Sequence, residues 1–243
     1  CNRMGHGCAS TTPGSLHSRP CEREQAKSVG HNRTMERELK FLLERPHAPE
    51  LPAGYHLDRT FESSHLMDEY LDDRGQILAA GWRLRSRRTG DEALRFTLKS
   101  VPDRGASNPL SERIEIEEPA VDGAALPEGI SKELARSGID LVRLPRRLQP
   151  YLSIRQERRT SSVADRDGKL ALLSIDEVRA KGGHAAEEQR WTELEIEFLP
   201  TASAERIRRA VDAITASFRS QSGIVAGGEP KVERAARLLS ISL

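Results

Sequence analysis

Between Glu36 and Phe198 the chain repeats one device: short segments in which charged residues alternate with bulky apolar ones, and in which the charges of a segment are largely of one sign. A period of two puts successive side chains on opposite faces of a β-strand. Glu193, Glu195 and Glu197 alternate with Leu194, Ile196 and Phe198, and Arg113, Glu115 and Glu117 alternate with Ile114 and Ile116. Glu36, Glu38 and Lys40 share a face opposite Leu39 and Phe41. The basic counterparts are Arg83, Arg85 and Arg87 against Trp82 and Leu84, then Arg95, Thr97 and Lys99 against Leu94, Phe96 and Leu98. Any one such strand fits an antiparallel sheet with its charged face in water. The set does not, because like charges at alternate positions repel unless a cation or a polyanion lies between them. A barrel lumen that holds both satisfies them.

The clearest strand segments are 36–43, 81–88, 92–100, 113–118, 151–164, 169–180 and 191–199, enough for a sheet that curls on itself. Residues 64–78 and 131–138 read as short helices or turns, and Asp167-Gly168 as a hairpin turn. Ala204 to Arg219 is predicted to be a helix on the barrel exterior, since Ile207, Val211, Ile214 and Phe218 recur at helical spacing and Ser203 can cap it. Residues 1–34 contain almost no large aliphatic side chains and are expected to be a disordered leader, with the domain running from Met35, the expected natural start, to residue 243.

Composition narrows the functional classes. Lys plus Arg at 38 against Asp plus Glu at 37 leaves no net field to draw in nucleic acid or a membrane surface, so the arrangement of charge matters and not its total. The Arg pairs 146–147, 158–159 and 208–209 do not change that, because acidic strands lie close by. Cys1, Cys8 and Cys21 all lie in the leader, which supports neither a disulfide framework nor a metal knuckle. No window is long and apolar enough for a membrane span, and the expected location is cytoplasmic. The seven histidines show no zinc spacing, and Gly227-Gly228 is a loop with no phosphate-binding Lys-Ser/Thr after it. Trp82 and Trp191 read as core packing on apolar strand faces.

Carboxylates facing one space collect a hard divalent cation, Mg²⁺ or Mn²⁺, through oxygen ligands, while Arg and Lys hold phosphate oxygens by forks and point contacts. Such a site cleaves a phosphoanhydride without a strong protein nucleophile, by neutralising phosphoryl charge and positioning water.

Glu36-Arg37-Glu38-Leu39-Lys40 resembles the Glu-x-Glu-x-Lys signature of CYTH domains, the triphosphate tunnel metalloenzymes. Gly81-Trp82-Arg83-Leu84-Arg85 and Arg95-Phe96-Thr97-Leu98-Lys99 resemble the two basic strands that follow in that family. The acidic strand from Arg113, a basic strand at Arg155 to Arg159, Asp176 and the Glu193 strand continue the order. The family's "YYDT" segment is matched only by Phe61-Glu62-Ser63-Ser64, and a Pro-rich stretch, Pro46 to Pro52, stands where a helix is usual, as in members fused to a CHAD domain. The resemblance implies an α+β fold: a closed tunnel of eight antiparallel strands with helices outside. It implies that Glu36, Glu38, Asp176, Glu193 and Glu195 bind metal, and that Lys40, Arg83, Arg85, Lys99, Arg113, Arg158 and Lys231 bind phosphate. Lys40 and Glu38 are then the catalytic candidates, Lys40 orienting or activating water. Arg158 and Arg159 are not separable by register.

The activity the resemblance implies is metal-dependent hydrolysis of inorganic triphosphate or another polyphosphate. Its alternatives are a class IV type adenylyl cyclase, a nucleoside or thiamine triphosphatase, and a non-catalytic polyphosphate-binding module. Carboxylates facing the ligand give a pure polyanion binder nothing, which weighs against the last. Nothing in the sequence sets the oligomeric state.

Overall fold

A sheet with one apolar and one charged face must cover the first and neutralise the second, and closure does both. The computed structural model describes residues 33–58, 60–102, 109–120, 126–139, 148–183 and 187–243. In chain order these form β1 (Arg33–Leu43), β2 (His56–Leu57), β3 (Glu62–Asp72), α1 (Gln76–Ala79), β4 (Trp82–Thr89), β5 (Arg95–Ser100) and β6 (Leu110–Pro119). Then come α2 (Glu128–Arg136), β7 (Gln149–Asp165), β8 (Gly168–Gly182), β9 (Glu188–Phe198), α3 (Ala204–Arg219), β10 (Ile224–Ala226) and α4 (Lys231–Leu238). Eight strands close in the order β1-β6-β5-β4-β3-β7-β8-β9, with β9 pairing back onto β1 and every pairing antiparallel. β2 adds to β7 and β10 to β1.

The expected helix spans Ala204–Arg219, and the Ser203 side chain accepts from the Arg206 amide at 3.3 Å. Its Ile207, Val211, Ile214 and Phe218 cover the outer face of β1 and β9, where Leu39, Phe41, Leu43, Leu194 and Ile196 are buried. Phe41 meets Phe218 edge-on with ring centroids 4.9 Å apart. A second outer cluster joins Trp82, Leu84, Leu98 and Ile116 to Ile130 and Leu134 of α2. The predicted hairpin joins β7 and β8, with Gly168 at φ 102°.

A third apolar cluster lies on the inner face at one end of the barrel. On β7 and β8 the positions that carry Arg158 and Asp176 continue, two residues at a time, to Ile154, Leu152, Val178 and Ala180. These pack with Tyr70 and with Val232 and Ala235 of α4. α4 therefore caps the end where the lining turns from charged to apolar.

Two expectations change. Residues 64–78, read as a short helix or turns, supply most of a full barrel strand, β3, followed by the one-turn α1. The strand is disguised because its inward positions mix Leu66 and Tyr70 with Asp68 and Asp72 while its outward ones mix Met67 and Leu71 with Glu69, so neither face has one character. Asp72 ends it by accepting from the Ile77 and Leu78 amides at 3.0 and 3.2 Å. Tyr70-Leu71-Asp72-Asp73 thus carries the Tyr and Asp spacing sought at Phe61-Glu62-Ser63-Ser64. β1 begins at Arg33, inside the stretch expected to be disordered, while residues 1–32 of that leader lie outside the described residues.

Candidate active site

One wall of the tunnel is built from acids. The register sets Lys40 of β1 opposite Glu195 of β9, and Asp176 of β8 opposite Glu193. Asp176, Glu193 and Glu195 each bring a carboxylate oxygen within 4.8 Å of the others. The Lys231 ammonium sits among them, 2.9 Å from Asp176, 2.6 Å from Glu193 and 2.8 Å from Glu195. Arg158 forks onto Asp176 at 2.7 and 2.6 Å and reaches Glu195 at 2.8 Å. Lys40 bonds Glu195 and lies 3.0 Å from Glu38.

Burial opposes ionisation of Glu195, yet Lys231, Lys40 and Arg158 outweigh it and hold the carboxyl well below its usual range. Asp176 is lowered in the same way by Lys231 and Arg158 against its burial. Burial likewise opposes charge on Lys231, and Asp176, Glu193 and Glu195 overcome it, so its pKa is raised.

Gly227 brings Lys231 to this place. Its amide donates to the Lys40 carbonyl at 2.8 Å, and a Cβ there would stand 3.1 Å from the Lys40 carbonyl carbon and oxygen. A side chain there would have to push the Lys40 backbone away by a few tenths of an ångström, so glycine suits the close passage of the chain after β10 past β1 before α4 turns in.

Beside the acid wall, Lys99 of β5 binds Glu36 at 2.7 Å and lies 3.2 Å from Glu115. Arg113 of β6 bonds Glu36 and reaches Glu38 at 2.8 Å. Burial raises and Lys99 and Arg113 lower the Glu36 pKa, with the cations prevailing. The opposite wall is basic: Arg83, Arg85 and Arg87 project inward from β4. Arg83 holds Glu233 of α4 at 3.0 Å, and Arg87 forks onto Asp68 of β3 at 2.6 and 2.7 Å. Between the walls lies a cavity of about 280 Å³.

A family model for the CYTH domain matches residues 34–220. The chain belongs to the CYTH family. A search of curated proteins returns no match. Among solved structures this CYTH protein is similar to HpAC1 from Hippeastrum, for which a dominant triphosphatase activity is described, at 17% identity and a TM-score of 0.55 over 86% of this chain and 97% of that one. It is also similar to the PH1819 protein of Pyrococcus horikoshii OT3, at 16% identity and a TM-score of 0.48 over 84% and 99%. At these identities the likeness concerns the fold, and the closed eight-stranded tunnel is the CYTH one.

The tunnel brings together most of the residues that the motif order suggested. Lys40, Arg83, Arg85, Lys99, Arg113, Arg158 and Lys231 all line the cavity. Asp176, Glu193 and Glu195 form the one acidic group, among the described residues, whose oxygens converge as metal ligands do. Glu36 and Glu38 stand apart from it, with their oxygens on Lys99, Arg113 and Lys40. The three converging carboxylates fit a hard divalent cation by donor type, and they already hold a cation, the Lys231 ammonium.

The register also separates Arg158, which faces the tunnel, from Arg159, which bonds the Pro46 carbonyl on the outside. Trp191 packs against the third apolar cluster, as read, but from the inner face that it shares with Glu193, to which its Nε1 donates at 2.7 Å. Asp68 and Arg87 were missed as site residues. Arg87 continues the Arg83-Arg85 alternation, so that signal was present, whereas nothing marked Asp68 once its strand was read as a helix. No helix among the described residues is long and apolar enough to cross a membrane.

Proposed function

We propose that this CYTH protein hydrolyses inorganic triphosphate, or a closely related linear triphosphate, with Mg²⁺ or Mn²⁺. The observation that supports this best is a single cavity lined by Arg83, Arg85 and Arg87 on one wall and, on the other, by Glu195, one of three carboxylates that converge behind it. Arg83, Arg85, Lys99, Arg113 and Arg158 bind the phosphate oxygens, Arg forks suiting the paired oxygens of a phosphoryl group. Asp176, Glu193 and Glu195 would hold the metal, and Glu36 and Glu38 would join them only by giving up Lys99, Arg113 and Lys40. When bound, the metal supplies charge neutralisation at the phosphoryl group and a more acidic water.

Lys231 lines the cavity, and its ammonium would be free to face the substrate if its three carboxylates took a metal instead. Lys40, fixed between Glu38 and Glu195, orients the attacking water toward the terminal phosphorus. The lumen offers little to a nucleobase, since Tyr70 is the one aromatic residue among those lining the cavity. That favours an inorganic chain over a nucleotide, and hydrolysis over cyclisation. The dominant triphosphatase activity described for HpAC1, on a related fold, agrees with this reading.

Phosphate release from tripolyphosphate, ATP and thiamine triphosphate, each with Mg²⁺, Mn²⁺ or EDTA, tests it. Metal-dependent release that favours tripolyphosphate is expected. Tight tripolyphosphate binding with no release from any substrate overturns hydrolysis in favour of a binding module.

A further inference from the structure

We propose that Asp68 is a positioning residue, a buried anion on the inner face of β3 that aims the Arg85 and Arg87 guanidiniums at the substrate. This rests on the triphosphate reading above. Asp68 is completely buried, and it lies on β3 directly opposite Arg87. Both its oxygens are used: Arg87 forks onto them at 2.6 and 2.7 Å, the Gln156 amide donates at 2.9 Å, and Arg85 Nη1 approaches to 3.5 Å. Arg85 and Arg87 line the cavity and Asp68 does not. Asp68 therefore acts on a ligand only through them.

Three features separate this from an ordinary buried ion pair. Two guanidiniums at alternate positions of one strand repel, and Asp68 is the carboxylate that touches both, so their spacing depends on it. The fork fixes Arg87 through Nε and Nη2 and leaves Nη1 for a ligand oxygen. Arg85 is held at both ends of its fork, by Thr97 at 3.1 Å through Nη2 and by Asp68 at 3.5 Å through Nη1, while its buried Nε has no partner. Burial opposes ionisation of Asp68, and Arg85 and Arg87 nevertheless keep its carboxyl below the usual range.

A buried negative charge beside a polyanion site weakens ground-state attraction, so its use lies in orientation. Removing it should bind substrate at least as well while slowing the chemistry. A residue that merely stabilises the fold has no reason to separate the two.

The test is Asp68→Asn, which keeps the shape and removes the charge. Tripolyphosphate affinity is measured calorimetrically in EDTA, and kcat per folded molecule is measured with Mn²⁺. The expected result is a Kd equal to or tighter than that of the parent, with kcat reduced about tenfold or more. Unchanged kcat, or a Kd weakened several-fold, overturns the inference.

Arg87→Gln and the double variant Asp68→Asn/Arg87→Gln decide the matter even if the single Asp68 variant does not fold, since the double leaves no orphaned charge on Arg87. A further loss of less than tenfold in the double, carried by Arg85 alone, supports action through the two arginines, and a further loss of tenfold or more overturns it. If the parent chain binds tripolyphosphate and hydrolyses it while Asp68→Asn behaves like the parent, only this inference fails. A parent that neither binds nor hydrolyses it takes down the triphosphate reading as well.

Discussion

Replacing Lys231 by Met removes one charge from the most crowded part of the tunnel and keeps most of the side-chain volume. Asp176, Glu193 and Glu195 carry three negative charges, and Lys231, Arg158 and Lys40 carry three positive charges in contact with them. Without Lys231 the cluster is left with one uncompensated carboxylate, and Lys40 is already shared with Glu38. Removing one member of a buried ion pair costs about 3–5 kcal/mol, and Lys231, at 8% exposure, belongs in that class. Urea unfolding of Lys231→Met at pH 8 in EDTA should therefore show a loss of about 3–5 kcal/mol with an unchanged m-value. The loss should shrink as pH falls, because the freed carboxylates, no longer held low, take up protons in the folded state before the unfolded chain does. Mn²⁺ should restore part of it, about 2.7 kcal/mol at a hundredfold excess over Kd, and should stabilise the variant more than the parent. A loss below about 1 kcal/mol in EDTA, or equal Mn²⁺ stabilisation of parent and variant, would refute the view that this cluster is built around a cation.

Four further outcomes follow from the geometry. Glu38→Gln should abolish phosphate release while tripolyphosphate binding by calorimetry partly survives, and unchanged release removes Glu38 from the reaction. Lys99→Ala should raise the tripolyphosphate Kd about tenfold, through loss of a cation that lines the cavity, and an unaltered affinity excludes a substrate contact. Glu197 lines the cavity, where burial and then Glu36 and Glu115 push its carboxyl up to about 7. Its folded pKa exceeds its unfolded one, so in EDTA the chain should lose stability between about pH 4.5 and 7 on this account, and Glu197→Gln should flatten that part of a pH–stability curve. Ser203→Ala removes the cap of α3 and should lower stability by about 1 kcal/mol in chemical denaturation, with no change there counting against the observed bond.

The alternating charges told of the tunnel because a closed barrel is the simplest way to satisfy strands with acidic or basic inner faces. β1, β4, β5, β6 and β9 were legible for that reason. β3 was not, since its inner face mixes Leu66 and Tyr70 with Asp68 and Asp72, and the partners that fix those acids come from α1 just beyond it, from β4 and from distant β7. The placement of Arg158 over Arg159 needed the β7–β8 register, which sets Arg158 against Asp176. α4 also escaped notice, because Ala235 and Ala236 supply much of its buried face and eight residues give little periodicity. Lys231 was expected at the phosphates, but its grip on three carboxylates depends on the path through β10 and Gly227. What the sequence hides here is long-range pairing of charge, which leaves no local pattern.

The most direct test of the account follows tripolyphosphate by ³¹P NMR in the presence of the protein, with Mg²⁺ or Mn²⁺ and again with EDTA. Hydrolysis at the terminal phosphorus predicts equal amounts of orthophosphate and pyrophosphate, with metal only. Unchanged tripolyphosphate with metal present, alongside conversion of ATP to cyclic AMP and pyrophosphate, would contradict it.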